Sequence, residues 1–171
     1  LVVLAVGVEE CEGLLAVDIL RRAGAEVTTA SVMQRRKITS AHKVELYADQ
    51  MAEDIDAAEY DAVVLPGGIP GTPNLAASPI VAETCRAFAA AGKLVAAICA
   101  APSILGGLGL LQGKKATVYP GMEDTLTGAV PTAGEVVVDG NIITSRSMGT
   151  AIPFALTIAA HLFGAARAQQ L

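Results

Sequence analysis

Short continuous apolar runs, each stopped by small or turn-forming residues, constrain the fold of this chain more than any other feature. The runs LVVLAVG, AVVLPGG and KLVAAIC begin at Leu1, Ala62 and Lys93 and have the length of strands. Their lack of polar alternation is typical of strands that are covered on both faces. Segments with helical spacing of apolar residues lie between them. This alternation predicts an α/β sandwich built on a mostly parallel sheet.

Local signals set the expected limits of the other elements. Gly24 ends a helix that carries GLLAVDILRR, and Ser78 with Pro79 begins a helix over SPIVAETCRAFAAAG. Helices are also expected over APSILGGLGLLQG and TAIPFALTIAAHLFG, and strands over AEVTTAS and KATVYP. One hairpin is expected from RKITS and VELYAD, and another in GEVVVDGNIITSRS, turned at Asp139-Gly140 or Gly140-Asn141. The core positions expected in the last helix are Phe154, Leu156, Ile158, Leu162 and Phe163.

Length and composition favour one domain over residues 1–171, since a chain of 171 residues can bury a sizeable core. Hydrophobic residues make up 53% of the chain, but Gly, Pro or charge interrupts every apolar stretch before bilayer length. The first run continues into VEECEG without a preceding basic segment, so we interpret it as a strand and not a signal peptide. These features predict no membrane association.

Charge and cysteine usage exclude several other classes. The net charge is −5 and the densest basic cluster, MQRRK, has no aromatic residues, which argues against a nucleic-acid partner. The odd count of three cysteines argues against a disulfide framework and favours a reducing, cytoplasmic location. Two histidines and no C-x-x-C argue against a structural zinc site, and we expect no metal or cofactor.

Cys99 lies where a buried strand is followed by a short helix, in AAICAAPSI. Ligands of doubly wound folds bind at this edge of the sheet, and a helix N-terminus favours a thiolate, so we expect a lowered pKa for Cys99. Ala100 and Ala101 permit a tight turn, and Pro102 suits the first helical position, as in the nucleophile elbow of hydrolases. The alternative is a packing cysteine, because free cysteines are often buried. This segment alone leaves the two interpretations about even.

Two further segments favour the nucleophile. Gly67 and Gly68 follow another buried strand, and their N–H groups together with that of Ala100 would form an oxyanion hole. The segment GVEECEG places Glu12 at the start of the first helix, at the same edge of the sheet. A carboxyl group beside a thiolate should have a raised pKa and would carry protons.

With these motifs in place, the chain resembles the ThiJ/PfpI superfamily, in the branch of the parkinsonism-associated deglycase and its bacterial relatives. The resemblance covers nearly the whole chain and rests on EECEG, RRAGAEV, VVLPGG, AAICAAP and TSRSMGTA, in this order. It implies a flavodoxin-like three-layer sandwich with a nucleophile-elbow cysteine, and a homodimer. It also implies a reactive Cys99, a protonated partner at Glu12, backbone donors from Gly68 and Ala100, and Arg22 near the dimer interface and the site mouth.

The chain departs from the superfamily's patterns at four positions. Ala100 stands where the protease-like branch has a histidine, so a peptidase or amidase is the less favoured function. Tyr119 stands where several relatives place a histidine near the cysteine, so Glu12 must carry the proton transfers. His42 lies near the place of a family arginine, which puts anion binding at the site mouth in doubt. Met148 stands where the parkinsonism-associated relative has a proline, which alters the pocket wall. Gly67, Tyr119, Arg22 and Met148 are the expected pocket residues.

The resemblance implies cofactor-independent chemistry on small reactive carbonyls, converting methylglyoxal or glyoxal to a hydroxy acid, with deglycation as a related activity. The expected partners are a carbonyl substrate and a second copy of the chain, in a role that protects against oxidative stress. The alternatives are a redox sensor in which Cys99 is oxidised, or a chaperone-like dimer. Among the other candidates, Cys85 has the helical spacing of a core residue, Cys11 is a peripheral thiol, and His161 is structural.

Overall fold

A central sheet with helices on both faces organises the molecule. The computed structural model describes residues 1–171. The strands are β1 (Val2–Leu4), β2 (Thr29–Ser31), β3 (Lys37–Thr39), β4 (Glu45–Tyr47), β5 (Gln50–Met51), β6 (Ala62–Leu65), β7 (Leu94–Ile98), β8 (Lys115–Ala116), β9 (Val130–Pro131), β10 (Val136–Asp139) and β11 (Ile142–Ser145). The helices are α1 (Glu10–Ala23), α2 (Gly71–Ala76), α3 (Pro79–Ala90), α4 (Pro102–Gly107), α5 (Ala151–Phe163) and α6 (Ala165–Ala168).

Seven strands form the central sheet in the order β10-β11-β7-β6-β1-β2-β5. All neighbours are parallel except β10, which pairs antiparallel with β11. The chain leaves β1 toward β2 on one side and later returns to β6 on the other. The gap between the carboxyl ends of β1 and β6 is therefore the topological switch point, where open α/β sheets bind ligands.

Two apolar clusters sandwich this sheet, because successive strand side chains point to opposite faces. Val2 and Leu4 join the cluster on the α1 and α5 side, around the fully buried Phe154. Val3 joins the cluster on the α3 and α4 side, together with Phe88. The three-layer, flavodoxin-like sandwich with a mostly parallel sheet is thereby confirmed.

Helix α1 ends where its sequence predicts, and a side-chain cap fixes its start. Gly24 adopts φ +102° and its N–H donates to the carbonyl of Arg21, as in a glycine-terminated helix end. At the start, the side chain of Glu9 accepts a hydrogen bond from the N–H of Glu12. This cap fixes the first turn of α1 at the carboxyl edge of the sheet.

Both predicted hairpins are present. The β3–β4 pair is antiparallel, and Asp139 pairs with Ile142, so Gly140-Asn141 is the turn between β10 and β11. Pro79 is the first residue of α3, although the Ser78 side chain makes no capping hydrogen bond. No helix of the structure combines the length and the hydropathy that crossing a membrane would require.

Two predictions were wrong in detail. The strand expected over KATVYP is limited to β8, which pairs with β9 outside the central sheet. It ends early because the N–H of Thr117 donates to the side-chain hydroxyl of Thr144 and not to a strand carbonyl. Phe163 is 43% exposed at the end of α5, whereas Phe154 and Ile158 are fully buried as expected.

Candidate active site

The carboxyl ends of three adjacent strands bring the candidate residues together. Because β1, β6 and β7 are neighbours in the sheet, the segments that follow them meet at one edge. Glu12 stands on α1 after β1, Gly67 and Gly68 follow β6, and Cys99 follows β7. Residues separated by more than 80 positions in the sequence therefore share one site.

Cys99 adopts φ +64°, a backbone conformation that residues with a side chain rarely take. Two hydrogen bonds hold it there: the Cys99 N–H donates to the Ser145 carbonyl (2.9 Å), and the Cys99 carbonyl accepts from the N–H of Tyr119 (2.8 Å). Strained residues of this kind persist where their surroundings fix them, and they concentrate at functional sites. The Cys99 side chain is partly exposed, so a ligand can reach it.

The turn that follows Cys99 is built from small buried residues. Ala100 is 3% exposed and Ala101 is fully buried, so larger side chains would not fit there. Pro102 occupies the first turn of α4, where its missing N–H is not needed. The result is a sharp strand-to-helix elbow that presents a cysteine instead of a serine.

Gly67 separates the cysteine from the carboxyl group. A Cβ atom at Gly67 would lie 2.6 Å from Cys99 Cβ and 2.7 Å from Glu12 Oε2, closer than real side chains approach. The absence of a side chain at this position lets the two functional groups face one another. At Gly68, with φ +99°, a Cβ would collide with the backbone N of Glu9.

Glu12 is buried, with 1% exposure, although it is acidic. Its Oε2 accepts a hydrogen bond from the N–H of Gly67 at 2.9 Å, whereas its Oε1 is buried and has no hydrogen-bond partner. Cys99 lies near enough for the two groups to shift each other's pKa. An unpartnered buried carboxyl oxygen beside a thiol is costly for folding and useful for proton transfer.

Burial raises the pKa of Glu12 from its ordinary value of 4.5 to about 7. The negative charge of Glu9 adds to the rise, while hydrogen bonding with Cys99 and with the Gly67 N–H opposes it. The expected rise at Glu12 is thus confirmed, and a carboxyl group with this pKa exchanges protons readily near neutral pH.

The expected fall in the pKa of Cys99 is wrong. Burial, together with the charge of an ionised Glu12, raises the pKa of the Cys99 thiol to about 12. The helix that was expected to lower it, α4, has only six residues and begins three positions later, so its dipole is weak at the sulfur. Near pH 7 Glu12 therefore loses its proton first, while the Cys99 thiol keeps its own.

Two backbone groups favour negative charge at the sulfur. The N–H groups of Ala100 and Gly68 lie close enough to Cys99 to lower the pKa of its thiol, against the larger effects of burial and Glu12. Both N–H groups are fixed by the turns that carry them, so they require no rearrangement to stabilise a developing oxyanion.

The remaining predicted pocket residues are more dispersed. Tyr119 is 48% exposed, and its N–H holds the Cys99 carbonyl. Met148 is half exposed on the short 3₁₀ turn three residues after Ser145, at the same edge of the sheet. Arg22 is a correction: it lies ten residues beyond Glu12 on α1, about 15 Å along the helix axis, and pairs with Asp18 at 2.7 Å. Within one chain it does not line the site.

Neither histidine is among the groups that shift the pKa of the Cys99 thiol. His42, on the β3–β4 hairpin, lies 3.0 Å from Glu10 Oε1 and 3.9 Å from Glu9 Oε1. These three residues could offer ligand atoms within 4.8 Å of one another, but His42 is exposed and already bonded to a carboxylate. His161 is exposed near the end of α5. Cys85 is buried in the core as expected, and burial raises the pKa of its thiol to about 12.

Two residues of the site were not identified from the sequence. Ser145 anchors the elbow through a backbone carbonyl, which any residue type supplies, so no sequence signal could identify it. Glu9 caps α1, and its position three residues before Glu12 is a usable signal. It was missed because glutamate is not among the preferred capping residues.

A strained cysteine beside the switch point of a flavodoxin-like sheet, near a buried carboxyl group, defines a class of nucleophile-elbow proteins. Comparison with known proteins narrows that class. Residues 1–161 match the DJ-1/PfpI family, and the chain belongs to this family.

Relatives and solved structures match most or all of the chain. Protein dj-1beta of Drosophila melanogaster is 40% identical over 173 residues, covering 100% of this chain and 92% of the fly protein. A protein of Pyrococcus abyssi named deglycase is 37% identical over 144 residues, covering 82% of this chain and 85% of that protein. The structure of oxidized Toxoplasma gondii DJ-1 superposes with a TM-score of 0.95 at 36% identity, covering 99% of this chain and 92% of that one.

Proposed function

We propose that the protein is a cofactor-independent cysteine enzyme that converts small 2-oxoaldehydes to 2-hydroxy acids, with methylglyoxal giving lactate. The observation that carries the proposal is the buried Glu12, which has one unpartnered oxygen and interacts with the partly exposed Cys99. This arrangement supplies a nucleophile, a proton carrier with a pKa of about 7 and two backbone donors at one point. The deglycase name of the Pyrococcus relative supports chemistry on reactive carbonyls.

In the first step Cys99 Sγ attacks the aldehyde carbon of methylglyoxal. A C–S bond forms, the carbonyl π bond breaks, and the oxygen becomes an oxyanion held by the N–H groups of Gly68 and Ala100. Glu12 accepts the thiol proton and delivers it to the oxyanion, which yields a hemithioacetal. The high pKa of the Cys99 thiol makes this assistance necessary, because free thiolate is scarce near neutrality.

In the second step Glu12 moves a proton from the former aldehyde carbon to the neighbouring carbon through an enediol. The hemithioacetal becomes a thioester of lactate without gain or loss of electrons. Water then breaks the C–S bond, releasing lactate and restoring the thiol of Cys99. Methylglyoxal plus water equals lactic acid, so no oxidant, reductant or external thiol is consumed.

A peptidase or amidase is not favoured by this site. Such enzymes pair the cysteine with an imidazole that activates it and protonates the leaving amine. Here Ala100 occupies the adjacent position, and His42 is bonded to Glu10 on the hairpin. Glu12 alone can shuttle protons for a small carbonyl substrate, which has no amine leaving group.

A redox-sensing role is the second candidate. One observation favours it: Cys99 is partly exposed beside two backbone donors and Glu12, which would also hold the oxygens of a sulfinate. A close structural relative is an oxidized DJ-1. Mass spectrometry after mild peroxide treatment should locate oxidation on Cys99, and modification of Cys11 alone would contradict this role.

The enzymatic proposal is tested by following lactate formed from methylglyoxal without glutathione or added metal. Wild type and Cys11→Ser should both produce lactate, because Cys11 is exposed on α1 and outside the site. Cys99→Ala should reduce the rate at least about a thousandfold, the scale of losing an essential nucleophile. Equal inactivity of wild type and Cys99→Ala at high enzyme concentration would refute the proposal.

The proposed function includes a homodimer, and gel filtration would measure whether the protein is a dimer. Arg22 would then reach a site only if a second copy brought it there, since its own chain places it about 15 Å along α1 from Glu12. A monomeric elution profile for an active enzyme would remove Arg22 from the site.

A further inference from the structure

Three hydrogen bonds close a ring between Glu9, Glu12 and Gly67. The backbone N–H of Glu9 donates to the Gly67 carbonyl at 2.9 Å. The N–H of Gly67 donates to Glu12 Oε2 at 2.9 Å, and the N–H of Glu12 donates to Glu9 Oε2 at 2.8 Å. Each residue therefore fixes the next, and the ring ties the first turn of α1 to the turn after β6.

Glu9 is the residue that makes this ring possible. It contributes both a backbone donor to Gly67 and a side-chain acceptor to Glu12, whereas an ordinary helix cap contributes only the acceptor. Its side chain is 15% exposed, so its position is held by packing as well as by hydrogen bonds. Closing the ring leaves only one Glu12 oxygen, Oε1, unpartnered.

We propose that Glu9 is a positioning residue whose backbone and carboxylate together hold Glu12 on Gly67, so that the Glu12 carboxyl group stays across Gly67 from Cys99. The proposal rests on the proposed function only for its effect on turnover; the orientation of Glu12 is a property of the protein without substrate.

The charge of Glu9 adds a second effect. Burial is the largest cause of the raised pKa of Glu12, and the nearby Glu9 carboxylate raises it further. The other titratable groups around Glu9 are Glu10 and Cys11 on α1 and His42 on the hairpin, whose Nδ1 lies 3.9 Å from Glu9 Oε1. Glu10 does not contribute to the shift at Glu12, so Glu9 and Glu10 are distinguishable neighbours.

The experiment compares Glu9→Gln, Glu9→Ala and the control Glu10→Gln. The titration midpoint of Glu12 is measured by carboxyl ¹³C NMR on the substrate-free protein and assigned with Glu12→Gln. Glu9→Gln keeps an acceptor for the Glu12 N–H but loses the charge, so the midpoint should fall below about 7. Glu9→Ala loses both, so the midpoint should fall and kcat for lactate formation should drop roughly tenfold or more. Glu9→Gln should keep most of the kcat that Glu9→Ala loses.

Two outcomes would overturn the inference. A Glu12 midpoint that is unchanged in Glu9→Gln, or equally lowered in Glu10→Gln, would show that Glu9 has no specific effect on Glu12. A Glu9→Ala variant that loses only thermal stability, with the midpoint and kcat of wild type, would reduce Glu9 to a helix cap. If no variant, wild type included, forms lactate, the proposed function fails while the NMR midpoints still decide the role of Glu9.

Discussion

Replacing Glu12 by Gln tests the energetic consequence of burying a carboxyl group at the site. Gln has nearly the same shape, and its carbonyl oxygen can accept the hydrogen bond from the Gly67 N–H that Glu12 Oε2 accepts at 2.9 Å. It carries no charge at any pH. The substitution therefore removes the cost of ionising a side chain that is 1% exposed, with little change in packing.

The magnitude follows from linkage between proton binding and folding. The folded protein holds the Glu12 proton up to about pH 7, whereas the unfolded chain releases it near 4.5. Between these values the folded state binds more protons, so stability is lost as pH rises through this window. The rise from 4.5 to about 7, at about 1.4 kcal/mol for each pH unit, corresponds to roughly 3 kcal/mol.

The free energies of unfolding of wild type and Glu12→Gln, measured in urea, should differ by an amount that grows with pH. We expect Gln to be more stable by about 1 kcal/mol at pH 5 and by about 3 kcal/mol at pH 8. Glu83→Gln is the matched control, because Glu83 is exposed on α3 and its replacement should leave the pH dependence of wild type. A constant difference between wild type and Glu12→Gln from pH 5 to 8 would refute the reasoning.

Three other predictions concern the geometry of the site. Gly67→Ala should abolish lactate formation and destabilise the fold by about 1–3 kcal/mol, because its Cβ would lie 2.6 Å from Cys99 Cβ. The control Gly107→Ala has open space around its Cβ and should retain both activity and stability. Denaturant unfolding and the lactate assay measure the two effects. Iodoacetamide followed by peptide mapping should label the exposed Cys11 but leave the fully buried Cys85 unmodified until urea unfolds the protein, and early labelling of Cys85 would contradict its core position. The value of kcat/KM should rise with pH around a midpoint of about 7, as Glu12 loses its proton and becomes able to accept that of the thiol; a profile that is flat between pH 5 and 9 would contradict this role.

Local rules predicted most of the fold from the sequence. The buried strands β1, β6 and β7 follow from uninterrupted apolar runs, and the end of α1 follows from Gly24. These features depend on residues close together in the chain. The early end of β8 could not be predicted, because it depends on the Thr144 hydroxyl, 27 residues away from Thr117.

The same difference between local and long-range effects decided which features of the site could be predicted. The elbow at Cys99, the glycine turn and Glu12 were identified from sequence because each occupies the end of a recognisable strand or the start of a helix. The raised pKa of Cys99 could not be predicted from the sequence. The start of a helix favours a thiolate, but burial and a nearby carboxylate oppose it more strongly. Both of these effects are known only from the three-dimensional structure. Arg22 was assigned to the pocket from the family resemblance, whereas the structure places it ten residues beyond Glu12 on α1 and pairs it with Asp18.

The covalent step at Cys99 is the centre of this account, and intact-protein mass spectrometry tests it most directly. Wild type mixed with methylglyoxal and quenched within the first turnover should gain the mass of one substrate molecule, with peptide mapping placing it on the peptide that contains Cys99. Lactate formation without any adduct on Cys99, or an adduct confined to Cys11, would contradict the account.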